Sequence, residues 1–362
     1  MKAVGYLVGA GSMTLGVEAA GFEIAQVFET PGYAKNARTW NLNRPNNRFI
    51  QLDLNERMGI PCGPIDMVYG NPPCGGMSSM TGGHIESPTN NLMVSWVQMV
   101  VNTRPRYILM ENAYQIATER GYGQLQKLVH ILQTAGYYWW VWQFYSWQLG
   151  CPQRRRRAFL CASLDRPVHA QYVDTADLPL DFGNMKVMDY IWDLEEIKPS
   201  PDPVTTATGK KVTMHWYDNA SYHVNELIPQ YLPNSIYDHF MTTRELEKIR
   251  EGGTEKEWEK ARKAMTEGTY FWDAPHCFVG MQQFRRPHIT PTVGPANTVL
   301  SDMVLLHPTK TRLMTHRESA RLMGYPDEWQ FHECKPYLIA QGVPSWNAYW
   351  AADRILRVVG LR

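Results

Sequence analysis

Val4-Gly5-Tyr6-Leu7-Val8-Gly9-Ala10-Gly11, followed by Ser12-Met13-Thr14-Leu15-Gly16-Val17-Glu18-Ala19-Ala20-Gly21, is the stretch that sets the fold class. Val4 to Val8 is a short apolar run bounded by glycine, which predicts a strand. Thr14 to Ala20 reads as a helix closed by Gly21, because glycine just past a helix end adopts the left-handed conformation at no steric cost. Between them, Gly9-Ala10-Gly11 forms a turn that lets the backbone approach a ligand closely. The helix amino end beyond it favours anionic groups.

Working outward, Phe22 to Phe28 reads as a second strand ending at Glu29. Phe49 to Leu54 and Ile65 to Tyr69 are two more. Asn91 to Asn102 is a predicted helix, Tyr107 to Met110 a strand, and Leu125, Leu128, Val129 and Leu132 recur at helical spacing. Trp139 to Tyr145 and Ala158 to Ala162 are expected as an antiparallel pair finishing the sheet. This alternation predicts an α/β class: a Rossmann-like, doubly wound, mostly parallel sheet.

From about residue 165 the pattern changes, with prolines at 167, 179, 199, 201 and 203 and weaker periodicity. A charged helix is expected over Thr243 to Thr266, bent at Gly252-Gly253. A capping box, Thr315-His316-Arg317-Glu318, starts another that runs to Met323. A last helix is expected over Asn347 to Val359. Residues 1–165 plus about 330–362 are thus predicted as a catalytic, cofactor-binding domain, and about 166–329 as a second, smaller one.

A chain of 362 residues with 44% hydrophobic and 20% charged residues is globular rather than disordered. No apolar run approaches the roughly 20 residues that span a bilayer, and the start lacks a signal-peptide pattern, so a cytoplasmic protein is expected. Six scattered cysteines without Cys-x-x-Cys spacing predict free thiols and no metal site. With a net charge of +1, a nucleic-acid partner has to be held by a local basic surface.

Chemistry concentrates at three points. Cys74 lies in Gly70-Asn71-Pro72-Pro73-Cys74-Gly75-Gly76-Met77-Ser78, after a strand whose carboxyl end is where α/β sheets bind ligands. A buried thiol is the commoner fate of a free cysteine, but the following glycines and serines argue for an exposed loop. Glu111 ends an apolar strand, where a low-dielectric setting makes a carboxyl hold its proton and suits it to donate. In Gln153-Arg154-Arg155-Arg156-Arg157, strand alternation is expected to put Arg155 and Arg157 on one face and Arg154 and Arg156 on the other. Glu29, about 20 residues past Gly9, suits ribose hydroxyls, and Asp53 suits an adenine amine. Together they imply an adenosine-type cofactor, a dinucleotide or S-adenosylmethionine.

The order of these motifs resembles the cytosine-5 DNA methyltransferase family, bacterial and phage-like members included. Leu7 through Gly21 is similar to its first motif, Glu29 and Asp53 to its cofactor carboxylates, and Pro73-Cys74 with Ser78 to its nucleophile motif. Glu111-Asn112-Ala113 resembles Glu-Asn-Val, and Gln153, Arg155 and Arg157 resemble Gln-x-Arg-x-Arg. Pro291-Thr292-Val293 and Arg312 through Asp327 are similar to segments after the family's target-recognition region.

The resemblance implies a class I methyltransferase fold with a target-recognition domain, S-adenosylmethionine as donor, and double-stranded DNA as substrate with no obligate protein partner. Leu7, Gly9, Ala10, Gly11, Glu29, Thr30, Asp53, Leu54 and Pro73 would line the cofactor. Cys74 would attack carbon 6 of a flipped cytosine while Glu111 steadies ring nitrogen 3 and the exocyclic amine. Arg157 would hold the base carbonyl and Arg155 support the thiolate. Ser78, Gln153, Arg154, Arg156, Lys210 and Lys211 would meet DNA.

Three positions depart from the family. Gly75 stands for the usual Gln, Leu7 for an adenine-stacking Phe, and Gln341-Gly342-Val343-Pro344 lacks the Asn of Gly-Asn-Ser/Ala-Val. A donor carrying a group other than methyl is one reading of these changes, and ordinary divergence the favoured one. Two further classes stay open. Asn71-Pro72-Pro73 also resembles the motif of DNA amino-methyltransferases, where Asn orients an exocyclic amine. A non-catalytic DNA-binding module that keeps the cofactor fold is the other.

Overall fold

The computed structural model describes residues 1–73, 88–165, 185–215, 287–288, 290, 294–299, 304–305, 307–310, 313–332 and 336–358. Cys74, Ser78, the helix expected over Thr243 to Thr266, Pro291-Thr292-Val293 and Arg312 lie outside them. The chain divides into two compact units. The first comprises Met1–Leu149, Arg156–Pro179 and Gly342–Arg362, and the second Gly150–Arg155 and Leu180–Gln341.

The first unit is built on a seven-stranded sheet. Its elements are β1 (Lys2–Tyr6), α1 (Ser12–Ala19), β2 (Glu23–Glu29), α2 (Ala34–Asn43), β3 (Ile50–Gln51), β4 (Met67–Gly70), α3 (Pro88–Thr103), β5 (Tyr107–Ala113), α4 (Tyr122–Thr134), β6 (Tyr138–Tyr145) and β7 (Arg156–Ser163). A last helix, Ser345–Val358, returns to this unit. The strand order is β3-β2-β1-β4-β5-β7-β6. β7 alone runs against the others, antiparallel to both β5 and β6. The expected doubly wound, mostly parallel sheet is therefore present. The expected antiparallel pair is also there, with its later strand inserted between β5 and β6.

Side-chain alternation sorts the sheet into two faces. Val4, Tyr6, Val68, Ile108, Met110, Ala158 and Leu160 join the core shared with Trp96 and Val97 of α3 and Leu125 and Leu128 of α4. The alternate residues meet other partners: Phe159 stacks on Phe144, which meets Trp350 of the last helix. That helix approaches α1 closely, because a Cβ on Gly16 would stand 2.2 Å from the Ser345 carbonyl oxygen.

The direction of winding reverses between β1 and β4, which are adjacent although β2 and β3 separate them in the chain. Their carboxyl ends open the crevice in which such sheets bind ligands. The Asn71 N–H, just after β4, donates to the Leu7 carbonyl at 2.9 Å, tying the two turns together.

In the second unit, Thr315 caps the helix His316–Leu322 in a complete capping box with Glu318, as its sequence predicts. Arg317, fully buried, donates to the carbonyls of Thr213, Pro326 and Trp329. Arg321 bridges Asp193 and Asp327. A short hairpin, Val204–Thr205 with Lys211–Val212, leaves Lys210 and Lys211 exposed.

Candidate active site

β1 ends in the turn that was expected to hold a cofactor. Leu7 has φ 61°, Gly9 64° and Gly11 107°. Positive φ costs glycine little but strains leucine. Leu7 is held there by its own peptide group, whose N–H donates to Phe28 O at 3.1 Å while its carbonyl accepts from Asn71. Gly11 is the residue preceding α1, and no side chain caps that helix. Ser12 is buried, and its hydroxyl has no hydrogen-bond partner among the described residues. Uncapped N–H groups and an orphaned hydroxyl at a helix start suit the polar end of an amino-acid-bearing ligand.

Glu29 closes β2 at 2% exposure, and the Thr30 N–H, 3.0 Å away, donates to its Oε1. Burial pushes its carboxyl from the usual range up to about 8, against the weaker opposing pull of that N–H. The Tyr6 hydroxyl donates to the Leu52 carbonyl, and burial, then Glu29 and Asp53, raise its pKa. Asp53 is exposed, and Leu54 packs half-buried against the core. A carboxylate in this position is a poor ion by itself and a strong acceptor for two hydroxyl donors.

A pH dependence follows. A diol ligand held by the ionised Glu29 would gain affinity as pH climbs toward about 8 and level off above it. Each pH unit below that point costs up to about tenfold. Calorimetric titration with the donor across this range should show the slope, and Glu29→Gln should flatten it while weakening binding. The unliganded fold obeys the opposite sign. A carboxyl raised above its unfolded value loses its stabilising contribution as pH rises between about 4.5 and 8, and Glu29→Gln should remove that loss.

The second half of the site lies at the ends of β4, β5 and β7. Glu111 pairs in register with Phe159, and Ala113 with Arg157, so Glu111 and Arg157 are diagonal neighbours on one face. Arg157 Nε lies 3.0 Å from Glu111 Oε1, with Glu111 1% exposed and Arg157 21%. Asn71 Nδ2 donates to Glu111 Oε2 at 2.5 Å and to the Glu111 carbonyl at 3.2 Å. Asn112 Nδ2 donates to the Pro72 carbonyl at 3.2 Å. Glu111-Asn112 thus grips Asn71-Pro72 from the neighbouring strand and fixes the segment that leads through Pro73 toward Cys74.

The arginine run departs from the expected alternation. Only Arg156 and Arg157 lie in β7, and Arg154 and Arg155 precede it. The reason is that residues 150–155 belong to the second unit, where the Arg154 N–H donates to the Ala296 carbonyl at 2.8 Å. Arg155 is buried and donates to the carbonyls of Val299 and Ala340. Gln153, fully buried, donates to the Leu322 carbonyl at 2.6 Å and accepts from the Val299 N–H at 2.9 Å. Its amide is committed to backbone, although its sequence context pointed to DNA. Asn71, conversely, was read only as an amine-orienting residue of a competing class, and its bond to Glu111 assigns it elsewhere.

The C-5 cytosine-specific DNA methylase model matches residues 1–342, so the chain belongs to that family. It is a DNA cytosine-5 methyltransferase that takes its methyl group from a donor. It is 23% identical over 367 residues to the Type II methyltransferase M.FnuDI of Fusobacterium nucleatum, covering 98% of this chain and 94% of that one. It is 30% identical to the Type II methyltransferase M.AgeI of Thalassovita gelatinovora over 175 residues, which are 46% of this chain and 40% of that one. Among solved structures, a DNA modification methyltransferase encoded within an E. coli prophage superposes with a TM-score of 0.63, at 19% identity and 99% coverage of both chains. Among the described residues no helix is long and apolar enough to cross a membrane.

Proposed function

We propose that the donor is S-adenosylmethionine, the substrate double-stranded DNA, and the reaction a covalent one through Cys74. The single observation that carries this reading is the Asn71–Glu111–Arg157 arrangement at the root of the Cys74 loop. A buried carboxyl braced by an amide and a guanidinium supports a role for Glu111 at a ring nitrogen.

Bound at the β1–α1 turn, S-adenosylmethionine supplies an electrophilic methyl group. Gly9, Gly11 and Ser12 would face its amino-acid portion, Glu29 its ribose hydroxyls and Asp53 its base. The remaining steps belong to the chain and the substrate. The Cys74 thiolate adds to carbon 6 of an extruded cytosine, forming a carbon–sulfur bond. Glu111 protonates ring nitrogen 3, so the displaced electron pair accumulates at carbon 5, which then accepts the methyl group. A base removes the carbon-5 proton, the returning electrons expel the thiolate, and ring nitrogen 3 hands its proton back to the Glu111 carboxylate. Arg157 orients Glu111 and supports the base carbonyl, Arg155 steadies the thiolate side, and Ser78, Arg154 and Arg156 meet the DNA strand.

The second unit is read as the target-recognition domain, with Lys210 and Lys211 as phosphate contacts. The protein is read as a cytoplasmic enzyme that works without an obligate partner. Duplexes carrying 5-fluorocytosine test the covalent step. With the donor present, a denaturation-resistant protein–DNA complex is expected, since fluorine blocks the final elimination. Methylation of ordinary cytosine without any such complex would overturn the covalent step.

A further inference from the structure

Arg156 carries a charge that the steps at Glu111 do not use. In register it pairs with Tyr145, while Arg157 pairs with Phe144, so the two arginines occupy opposite faces of the sheet. The Arg156 guanidinium lies 4.3 Å from the Tyr114 ring centroid and 5.3 Å from that of Tyr145. Tyr145 stacks in turn on Trp147, with centroids 6.3 Å apart and planes 30° from parallel. Among the described residues no carboxylate pairs with Arg156. Two rings therefore flank a planar cation, and among the described residues its N–H edge lacks an anionic partner.

These residues sit on the rim that carries the reaction. Tyr114 directly follows Glu111-Asn112-Ala113, Tyr145 ends β6, and Arg156 begins β7 beside Arg157. With a net charge of only +1, attraction for a polyanion has to come from such local cations. A preset guanidinium beside partly exposed aromatic rings matches a sugar–phosphate chain, in which charge alternates with apolar surface.

We propose that Arg156, seated between Tyr114 and Tyr145, is a phosphate anchor for the DNA substrate on the face opposite the Glu111–Arg157 pair, with Tyr145 and Trp147 as its apolar wall. This deepens the DNA contact assigned above to Arg156 by naming the phosphate and the rings that hold the guanidinium for it. It rests on duplex DNA being the substrate.

Equilibrium binding of a labelled duplex over a salt series tests it, with donor affinity measured alongside as the check on folding. Arg156→Gln should weaken DNA binding several-fold at low salt and reduce the slope of log affinity against log salt by about one, as loss of one phosphate contact requires. Arg156→Lys should keep the slope while losing part of the affinity. Tyr145→Ala, at a ring 39% exposed, should weaken binding with the slope kept. Native affinity and slope in Arg156→Gln would overturn the proposal. Should that variant fail to bind donor, native DNA affinity in Tyr145→Ala would do so instead. Failure of the unaltered protein to bind duplex would instead count against the substrate reading itself.

Discussion

Cys74→Ala should abolish carbon-5 methylation, by about 10⁴-fold or more, while duplex binding persists. Cytosine carbon 5 is too weak a nucleophile to take a methyl group unaided, and in the proposed mechanism sulfur addition at carbon 6 activates it. The described residues leading to Cys74 are firmly held. Asn71 is bonded to the Leu7 carbonyl and to Glu111, and the Pro72 carbonyl accepts from Asn112, two residues short of Cys74. Methyl transfer from labelled donor, followed by nucleoside analysis, reads the loss. The complex trapped on 5-fluorocytosine should vanish in the same variant. Retained 5-methylcytosine formation would sink the thiol mechanism, and a methylated exocyclic amine surviving the change would revive the amino-methyltransferase reading.

Glu111→Gln should lower the methylation rate by about 10²- to 10⁴-fold, because an amide cannot deliver the proton that ring nitrogen 3 must receive. It also leaves Arg157 facing a neutral group across 3.0 Å, in a position where Glu111 is 1% exposed. Some stability should therefore be lost, about 1–3 kcal/mol. Two readouts separate chemistry from folding. Slower trapping on 5-fluorocytosine, with donor affinity close to native, assigns the defect to proton delivery. An equal loss of donor binding would show that Glu111 chiefly braces Asn71 and the fold.

Much of this architecture was legible because local chemistry decides it. Gly21, expected to close the first helix, has φ 106° and donates to Glu18 O at 2.9 Å. The capping box at Thr315 forms because both of its hydrogen bonds lie within one turn. By contrast, α2 (Ala34–Asn43) went unread, since Ala-Lys-Asn-Ala-Arg-Thr-Trp-Asn-Leu-Asn has too few apolar residues to show a helical stripe. Glu29 was legible as a carboxylate at a strand end, but its raised pKa depends on burial by residues distant in sequence.

The arginine run shows the same division. Its composition announced a cationic site, yet alternation cannot say where a strand begins. Arg155 and Gln153 are held by backbone from around residues 296–340, and only Arg156 and Arg157 enter β7.

By itself, the order of strand, glycine turn, carboxylate, cysteine and arginines determined the fold class, because each motif needs only its near neighbours to take shape, and its resemblance to a known family implied the reaction. Tertiary structure decided that β7 inserts between β5 and β6, which sets Arg157 against Glu111 and Arg156 on the far face between two tyrosines. Strand pairing is a contact between distant segments, won by whichever neighbour buries more of both, and no local pattern encodes that outcome.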